Sequence, residues 1–259
     1  MNYLLSIYDI RQYPPDFMQE YKRLDSHGLI KGCEFYIPEP LGEMRKIAKD
    51  FKEMVFQIHA MDLDNMDIYD IFDMAEYYHD LAEKSEQRVN VIIHPLISVN
   101  PESGMYQTLQ RLYTLQNHID QHGLYLDLLV ENLNPLNNIK RCEVSHIKQI
   151  LDELSVWFCW DIGHDKLCGN HSYTLPLKNA MRLKNVHLHD VHGPKDHCPF
   201  YSGRTILGLD YLKSIGYNGN MVLEIALDYL NGDTLREKQI KYVEQFELVE
   251  AQNEGIDRA

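Results

Sequence analysis

Six short apolar runs in this chain each end in a histidine, an aspartate or a glutamate. These six end residues are His59, His94, Glu131, Asp161, His189 and Glu224, and the fifth run also contains His187. Short, continuous apolar runs are typical of the buried strands of a parallel sheet. Because the carboxyl ends of parallel strands meet at one rim of a barrel, the pattern predicts that these side chains lie together. Imidazoles and carboxylates gathered in this way can bind a metal or transfer protons, which indicates an enzyme.

A divalent metal takes hard oxygen donors, and it also accepts imidazole nitrogen. Four residues from four of the runs fit that requirement, namely Glu131, Asp161, His187 and Glu224. Three carboxylates at one barrel mouth would repel each other and would be costly to desolvate without a cation. The sequence therefore predicts a bound divalent metal, and Mn²⁺, Zn²⁺, Co²⁺ and Mg²⁺ all remain open as its identity.

Eight strand-like segments recur along the chain, with helical segments between them. The strand-like segments are residues 3–8, 32–36, 55–59, 90–94, 126–131, 156–161, 185–189 and 221–225. Helical spacing of apolar residues is clearest over 68–85 and 107–122. Strand and helix alternating eight times predict a single α/β domain, a (β/α)₈ TIM barrel. An open doubly wound sheet is the alternative, but no GxGxxG or Walker loop follows any strand.

Length, charge and cysteine content narrow the class of protein. The 259 residues match the usual size of one such barrel, so we expect residues 1–259 to form a single domain. No apolar run reaches the ~20 residues that cross a bilayer, and the first residues do not resemble a signal peptide, which predicts a cytoplasmic protein without a membrane partner. The five cysteines form no CxxC pair, so neither a disulfide framework nor a thiolate zinc site is predicted. A net charge of −14 disfavours nucleic acid as a partner.

Several short motifs occur in the order found in a known superfamily. They are Ile58-His59-Ala60, Ile93-His94-Pro95, Val130-Glu131-Asn132, Trp160-Asp161-Ile162-Gly163-His164, His187-Leu188-His189-Asp190 and Val222-Leu223-Glu224. With these motifs the chain resembles the xylose isomerase-like TIM-barrel superfamily. That superfamily contains sugar phosphate isomerases and epimerases and the endonuclease IV-like proteins of AP endonuclease family 2. The resemblance extends from about the third strand to the eighth, whereas residues 32–35 match only generically.

The resemblance implies a metal-dependent isomerase or epimerase that acts on a small sugar or sugar phosphate. Glu131, Asp161, His187 and Glu224 would bind the metal, while Glu131 and Glu224 would flank the substrate as proton donor and acceptor. His164 would contact substrate hydroxyls or bind a further metal. A homo-oligomer is expected only by analogy with similar barrels, and the sequence leaves the oligomeric state open.

The endonuclease branch of the superfamily is the alternative, since it uses several zinc ions to hydrolyse phosphodiesters. His59, His94 and Glu131 match its first metal site, and His164 with Asp196 and His197 resembles its third. That branch separates the last aspartate and histidine by one residue, whereas Asp196 and His197 are adjacent here. A barrel that binds a metabolite without chemistry is the third hypothesis.

The loop over residues 193–207 offers only two cations, Lys195 and Arg204, for a polyanion. This scarcity makes a nucleic-acid substrate the weaker interpretation. Arg204 could instead bind a carboxylate or phosphate group of a small substrate, because its planar guanidinium matches either group.

Overall fold

Eight parallel strands close into a barrel in the computed structural model of the protein. The structure describes residues 1–8, 16–36, 51–52, 54–60, 63, 67–96, 101–135, 143–170 and 172–255. The closed barrel of eight parallel strands confirms the predicted (β/α)₈ architecture. The helix expected between the second and third strands lies outside the described residues.

The barrel strands are joined in the order β1-β10-β7-β6-β5-β4-β3-β2, and β2 pairs with β1 to close the barrel. Their bounds are β1 Asn2–Ile7, β2 Ile30–Tyr36, β3 Val55–His59, β4 Val89–Ile93, β5 Leu126–Glu131, β6 Trp157–Asp161, β7 Leu183–Leu188 and β10 Asn220–Leu223. Two further strands, β8 (Asp190–His192) and β9 (Lys195–Cys198), form a separate antiparallel hairpin directly after β7.

Eight α-helices occur among the described residues. They are α1 Phe17–Leu24, α2 Ile68–Ser85, α3 Pro101–His122, α4 Val144–Glu153, α5 Ile162–Leu167, α6 Leu177–Arg182, α7 Leu209–Ser214 and α8 Leu235–Glu254. The helix expected over 68–85 has those bounds. α3 ends at His122, where the apolar spacing predicts, and it begins at Pro101, which the sequence offers as a helix start. Within the part of the chain that the structure describes, no helix has both the length and the apolar character that membrane crossing requires.

Local signals explain where the long helices begin and end. Asp67 and Asp70 form a capping box at the start of α2, and Thr234 and Glu237 form another at the start of α8. Gly123, with φ of +63°, follows the end of α3 in the left-handed conformation that glycine adopts without strain.

The barrel interior contains a hydrogen-bonded polar layer in addition to apolar side chains. Gln57 lies at its centre: its Nε2 donates to Glu34 Oε2 at 2.6 Å and to Asn185 Oδ1 at 3.0 Å. Its Oε1 accepts from Asn90 Nδ2 at 3.2 Å and from Asn220 Nδ2 at 2.7 Å. Interiors of such barrels are dominated by bulky branched residues, so this layer is an unusual use of the space below the strand ends.

Asp127, the second residue of β5, bridges two cations. Its carboxylate accepts a hydrogen bond from Arg88 Nε at 2.7 Å and another from Lys184 Nζ. Burial alone would raise the pKa of Asp127, but Lys184 and Arg88 outweigh it and hold this pKa below the ordinary value of 3.8. A carboxyl group with a lowered pKa stabilises the fold above its unfolded-state pKa, and that stabilisation is lost as the pH falls toward the folded-state pKa.

We expect Asp127→Asn to lower the free energy of unfolding at pH 7 by about 1 kcal/mol. The loss relative to the parent should be constant between pH 7 and 5 and should shrink below the ordinary pKa of 3.8. Urea denaturation of both proteins across this pH series measures the difference. Asp152→Asn is the control, because Asp152 is paired with Lys148 and Lys178 but is exposed. A penalty for Asp127→Asn that stays constant to pH 3 would contradict this account.

Candidate metal centre

The carboxyl ends of the strands bring four of the predicted residues together. Glu131 and Asp161 are the last residues of β5 and β6, His187 lies near the end of β7, and Glu224 directly follows β10. One ligand atom from each of the four lies within 4.8 Å of the others. Glu131, Asp161 and His187 are fully buried, whereas the side chain of Glu224 is 13% exposed toward the cavity above.

Glu131 is the point on which the histidines converge. Its Oε2 lies 3.3 Å from His59 Nε2, 3.4 Å from His94 Nε2 and 3.3 Å from His187 Nδ1. Its Oε1 lies 3.4 Å from His164 Nδ1. The Glu131 carboxylate therefore contacts four imidazoles, three at the ends of β3, β4 and β7 and one in α5.

The polar atoms at this centre fit a divalent metal. Both oxygens of Glu131, Oε2 of Glu224 and Nδ1 of His187 are buried without a hydrogen-bond partner among the described residues. Buried polar groups are ordinarily paired, and a buried carboxylate that lacks a partner is costly. Because the orphaned atoms are mostly acceptors that converge, a cation would satisfy them together. Mixed oxygen and imidazole donors suit Mn²⁺, Co²⁺ and Zn²⁺, and carboxylates suit Mg²⁺.

Electrostatics at the centre favours ionised carboxylates. Burial raises the pKa of Glu131, but the positive charges of His187 and His94 and the nearby His164 overcome it, so its pKa lies well below the usual range. The pKa of Glu224 is lowered in the same way, chiefly by His187 against the effect of burial. Burial lowers the pKa of His187, yet its acidic neighbours raise this pKa well above the ordinary value. A metal at this position would compete with protons, so its binding should weaken as the pH falls.

Four further groups of ligand-type side chains occur among the described residues, and three of them share a residue with the first. The four are His59, His94 and Glu131; Glu131, Cys159 and His187; Glu34, His59, His187 and Glu224; and His164, His189 and His197. Glu131 thus belongs both to the first set of four and to the group with His59 and His94.

Asp196 and Arg204, two candidate site residues from the sequence, lie apart from the ligand groups described above. Asp196 accepts a hydrogen bond from Asn134 Nδ2 at 2.6 Å and belongs to none of the groups found among the described residues. Arg204 lies over the ring of Tyr201, 5.1 Å from its centroid, and lines a separate open cavity of about 530 Å³ with His192 and Gly193. The structure therefore brings His197 to the centre but not Asp196 or Arg204.

A cavity of about 250 Å³ opens directly above the centre. Tyr8 and Tyr36 form part of its wall and stack with ring centroids 4.8 Å apart. At ~30 Å³ per water molecule the cavity has room for roughly eight waters, which is the scale of a small polar ligand. The described residues that line it are Tyr8, Tyr36, His59, His94, Leu133, Asn134, His164, His197 and Glu224.

Sequence reasoning missed Glu34 and assigned His189 only a secondary position. Glu34, in the middle of β2, is 1% exposed, and its Oε1 lies 3.0 Å from His187 Nε2. The available signal was a carboxylate flanked by Cys33 and Phe35 in an apolar strand. His189 Nε2 lies 3.2 Å from the Asp161 carboxylate, so this histidine contacts a predicted metal ligand directly.

Comparison with known proteins shows what the fold resembles. No protein-family model matches the chain, and no curated protein matches it by sequence. The structure of L-ribulose 3-epimerase is similar with a TM-score of 0.70 at 12% identity, covering 98% of this chain and 97% of that chain. The IolI protein with a zinc atom has a TM-score of 0.63 at 15% identity, covering 96% and 99%. A xylose isomerase domain protein from Planctomyces limnophilus has a TM-score of 0.63 at 13% identity, covering 100% and 99%.

These structures confirm the predicted resemblance to xylose isomerase-like TIM barrels at the level of the fold. At 12–15% identity the likeness shows the architecture alone. The chemistry of this chain therefore has to be argued from its own residues.

Gly163 leaves the space that His189 occupies. A Cβ atom at this position would lie 2.0 Å from His189 Cε1, far inside van der Waals contact. His189 is also held from its other side, because the backbone N–H of His197 donates to its Nδ1 at 2.9 Å. The ring is therefore fixed against Asp161, and only glycine is compatible with that position.

We expect Gly163→Ala to displace His189 and to weaken Zn²⁺ binding by about 10-fold, as changes next to metal ligands do. Helix propensity would favour alanine by about 1 kcal/mol, so a loss cannot come from the helix itself. Competition with a chromophoric chelator measures the affinity. In a His189→Ala background the same substitution should cost little, because the clashing ring is gone. An equal loss in both backgrounds would show that His189 is not the cause.

Proposed function

We propose that this protein is a divalent-metal-dependent sugar or sugar-phosphate isomerase or epimerase that transfers a proton next to a carbonyl. The observation that carries the proposal is the convergence of two glutamates at the base of one cavity. Glu131 Oε2 and Glu224 Oε2 each lie 3.3 Å from His187 Nδ1, and neither oxygen has a hydrogen-bond partner within the described ranges.

Glu131, Asp161, His187 and Glu224 would hold the metal. When bound, a divalent metal supplies a Lewis acid that stabilises negative charge on a substrate oxygen. The two glutamates supply the proton transfer: one removes the proton from the carbon next to the carbonyl, and the other returns a proton. Return to the opposite face of the same carbon gives an epimer, and return to the neighbouring carbon gives an isomer.

The cavity supports a small polyhydroxylated substrate. Its histidine, asparagine and tyrosine side chains offer hydrogen bonds to hydroxyl groups, and the stacked Tyr8 and Tyr36 offer an apolar ring face. The lowered pKa values of Glu131 and Glu224 keep both groups ionised at neutral pH, which is the state that the group removing the proton needs. The glutamate that returns a proton has to take one from solvent first, and Glu224 is the one that lines the cavity.

A multi-metal phosphodiesterase is the second candidate, and one observation favours it. Glu131 belongs to three ligand groups, and the group of His164, His189 and His197 lies beside them, so these residues would hold more than one metal. Paired metals activate water and stabilise the oxygens of a phosphoryl group in such enzymes. The net charge of −14 is unfavourable for a polyanionic substrate.

Metal content separates the two candidates. We expect inductively coupled plasma mass spectrometry of protein purified without chelator to find about one Mn, Co, Mg or Zn per chain. Glu131→Gln should lose that metal, whereas Glu244→Gln, an exposed partner of Lys241, should retain it. Two or three zinc ions per chain would favour the phosphodiesterase, and the absence of metal under every reconstitution would favour a non-catalytic binding barrel.

Proton transfer is tested by hydrogen exchange. A panel of ketoses and sugar phosphates in D₂O should identify a substrate whose carbon-bound hydrogen exchanges with solvent, detected by NMR. Glu224→Gln should lower that exchange by about 10²- to 10⁴-fold, the usual contribution of a general acid or base. Glu244→Gln should exchange at the parent rate. Full activity of Glu224→Gln on the identified substrate would rule out the proposed role.

A further inference from the structure

We infer that Glu34 fixes the proton of His187 on Nε2 and so leaves Nδ1 as the nitrogen that faces the metal ligands. Glu34 is the final acceptor in a chain of hydrogen bonds inside the barrel, in which every donor points toward it. This inference rests on the proposed metal centre, but it does not depend on which reaction the centre performs.

The contact between Glu34 and His187 crosses the barrel. Glu34 belongs to β2 and His187 to β7, and these strands are not neighbours in the sheet. His187 Nε2 lies 3.0 Å from Glu34 Oε1 and 3.2 Å from Glu34 Oε2, and both residues are buried. The carboxylate oxygens of Glu34 are acceptors, and Nε2 is the donor in this contact.

Glu34 also sets the direction of the bonds below it. The atom of Gln57 that lies 2.6 Å from Glu34 Oε2 must be a donor, which assigns it as Nε2. Gln57 Oε1 then faces Asn90 and Asn220, whose nearest atoms must be the donating Nδ2 groups. Asn220 Oδ1 in turn accepts from Asn2 Nδ2 at 3.2 Å. Each amide has one consistent orientation, and every bond points toward Glu34.

Other groups around Glu34 agree with this assignment. Asn185 turns its Oδ1 toward Gln57 Nε2 and its Nδ2 toward Cys159 Sγ at 3.2 Å and Glu34 Oε2 at 3.5 Å. The described hydrogen bonds of Glu34 thus all come from donors, and all of them reach its Oε2. A glutamine at position 34 would direct one of its own N–H groups at a neighbouring N–H donor. The directions of the hydrogen bonds around this position would then no longer be fixed.

The consequence for the metal centre lies at the other nitrogen of His187. With Nε2 donating to Glu34, a bound metal would take the place of a proton at Nδ1, which lies 3.3 Å from both Glu131 Oε2 and Glu224 Oε2. Metal-ligating histidines almost always donate their second N–H to a carboxylate or carbonyl, which fixes the ring and raises its basicity. Glu34 is therefore a positioning residue for the proposed ligand His187.

Glu34→Gln tests the inference with Zn²⁺ alone as the probe. We expect Zn²⁺ affinity, measured by competition with a chromophoric chelator, to fall by about 10- to 100-fold. In the Zn²⁺-loaded protein labelled with ¹⁵N-histidine, the parent should show a solvent-protected Nε2–H for His187, and the variant should lose that protection.

Gln57→Glu is the second variant, because it leaves Glu34 unchanged but places a second acceptor-only group against it. It should weaken Zn²⁺ binding in the same direction. Gln245→Glu is the matched control, since Gln245 is buried in α8 and its Oε1 accepts from the Phe200 N–H at 2.7 Å, a role that a carboxylate can also fill. The control should bind Zn²⁺ as the parent does.

The outcomes are distinguishable. If both barrel variants bind Zn²⁺ within twofold of the parent, or lose no more than the control, Glu34 does not position His187 and the inference fails. If circular dichroism shows that Glu34→Gln does not fold, the decision is made on Gln57→Glu. If the parent binds no Zn²⁺, the proposed metal centre fails, and the inference fails with it.

Discussion

The concentration of buried carboxylates below one cavity is the constraint on which the rest of the structure depends. Glu131 and Asp161 have no exposed surface, and Glu224 approaches the same point from the strand that closes the barrel. Such charges are expensive to bury unless cations or donors surround them. Histidines from several strand ends provide that surrounding, and they also provide the nitrogen donors that a metal needs.

The need to surround the buried carboxylates with donors also determines which polar side chains occupy the barrel interior. A purely aliphatic interior would leave His187 Nε2 without an acceptor, and Glu34 Oε2 supplies one at 3.2 Å. Glu34 is itself a buried charge, so it needs donors of its own, which Gln57 and Asn185 supply. The polar layer therefore follows from the need to pair His187 and Glu34 inside the barrel, since each group is satisfied by the next.

Much of the fold could be predicted from sequence, because buried parallel strands appear as continuous apolar runs. Residues 55–59 and 126–131 were predicted with the bounds that the strands have, and the helix over 68–85 was predicted with its bounds. The gathering of Glu131, Asp161, His187 and Glu224 followed from barrel geometry alone. Their roles as ligands stay a proposal.

The parts that sequence could not supply depend on contacts across the barrel or between loops. Nothing in the local sequence of β2 shows that Glu34 faces His187, since the two residues are 153 positions apart. The place of His189 against Asp161 depends on the empty space at Gly163. The separation of Arg204 from the cavity depends on the path of the chain after β9, which spacing cannot reveal.

The hairpin of β8 and β9 has a consequence for how such a protein can change over time. His197 adopts a φ of +51° and uses its backbone to hold His189, while its side chain lines the cavity. His197 therefore both lines the cavity and supports His189, which in turn contacts Asp161. A lineage that remodels this hairpin to accept a new substrate would also alter the surroundings of the proposed metal centre. In the proposed enzyme, substrate range and metal preference would therefore be inherited together.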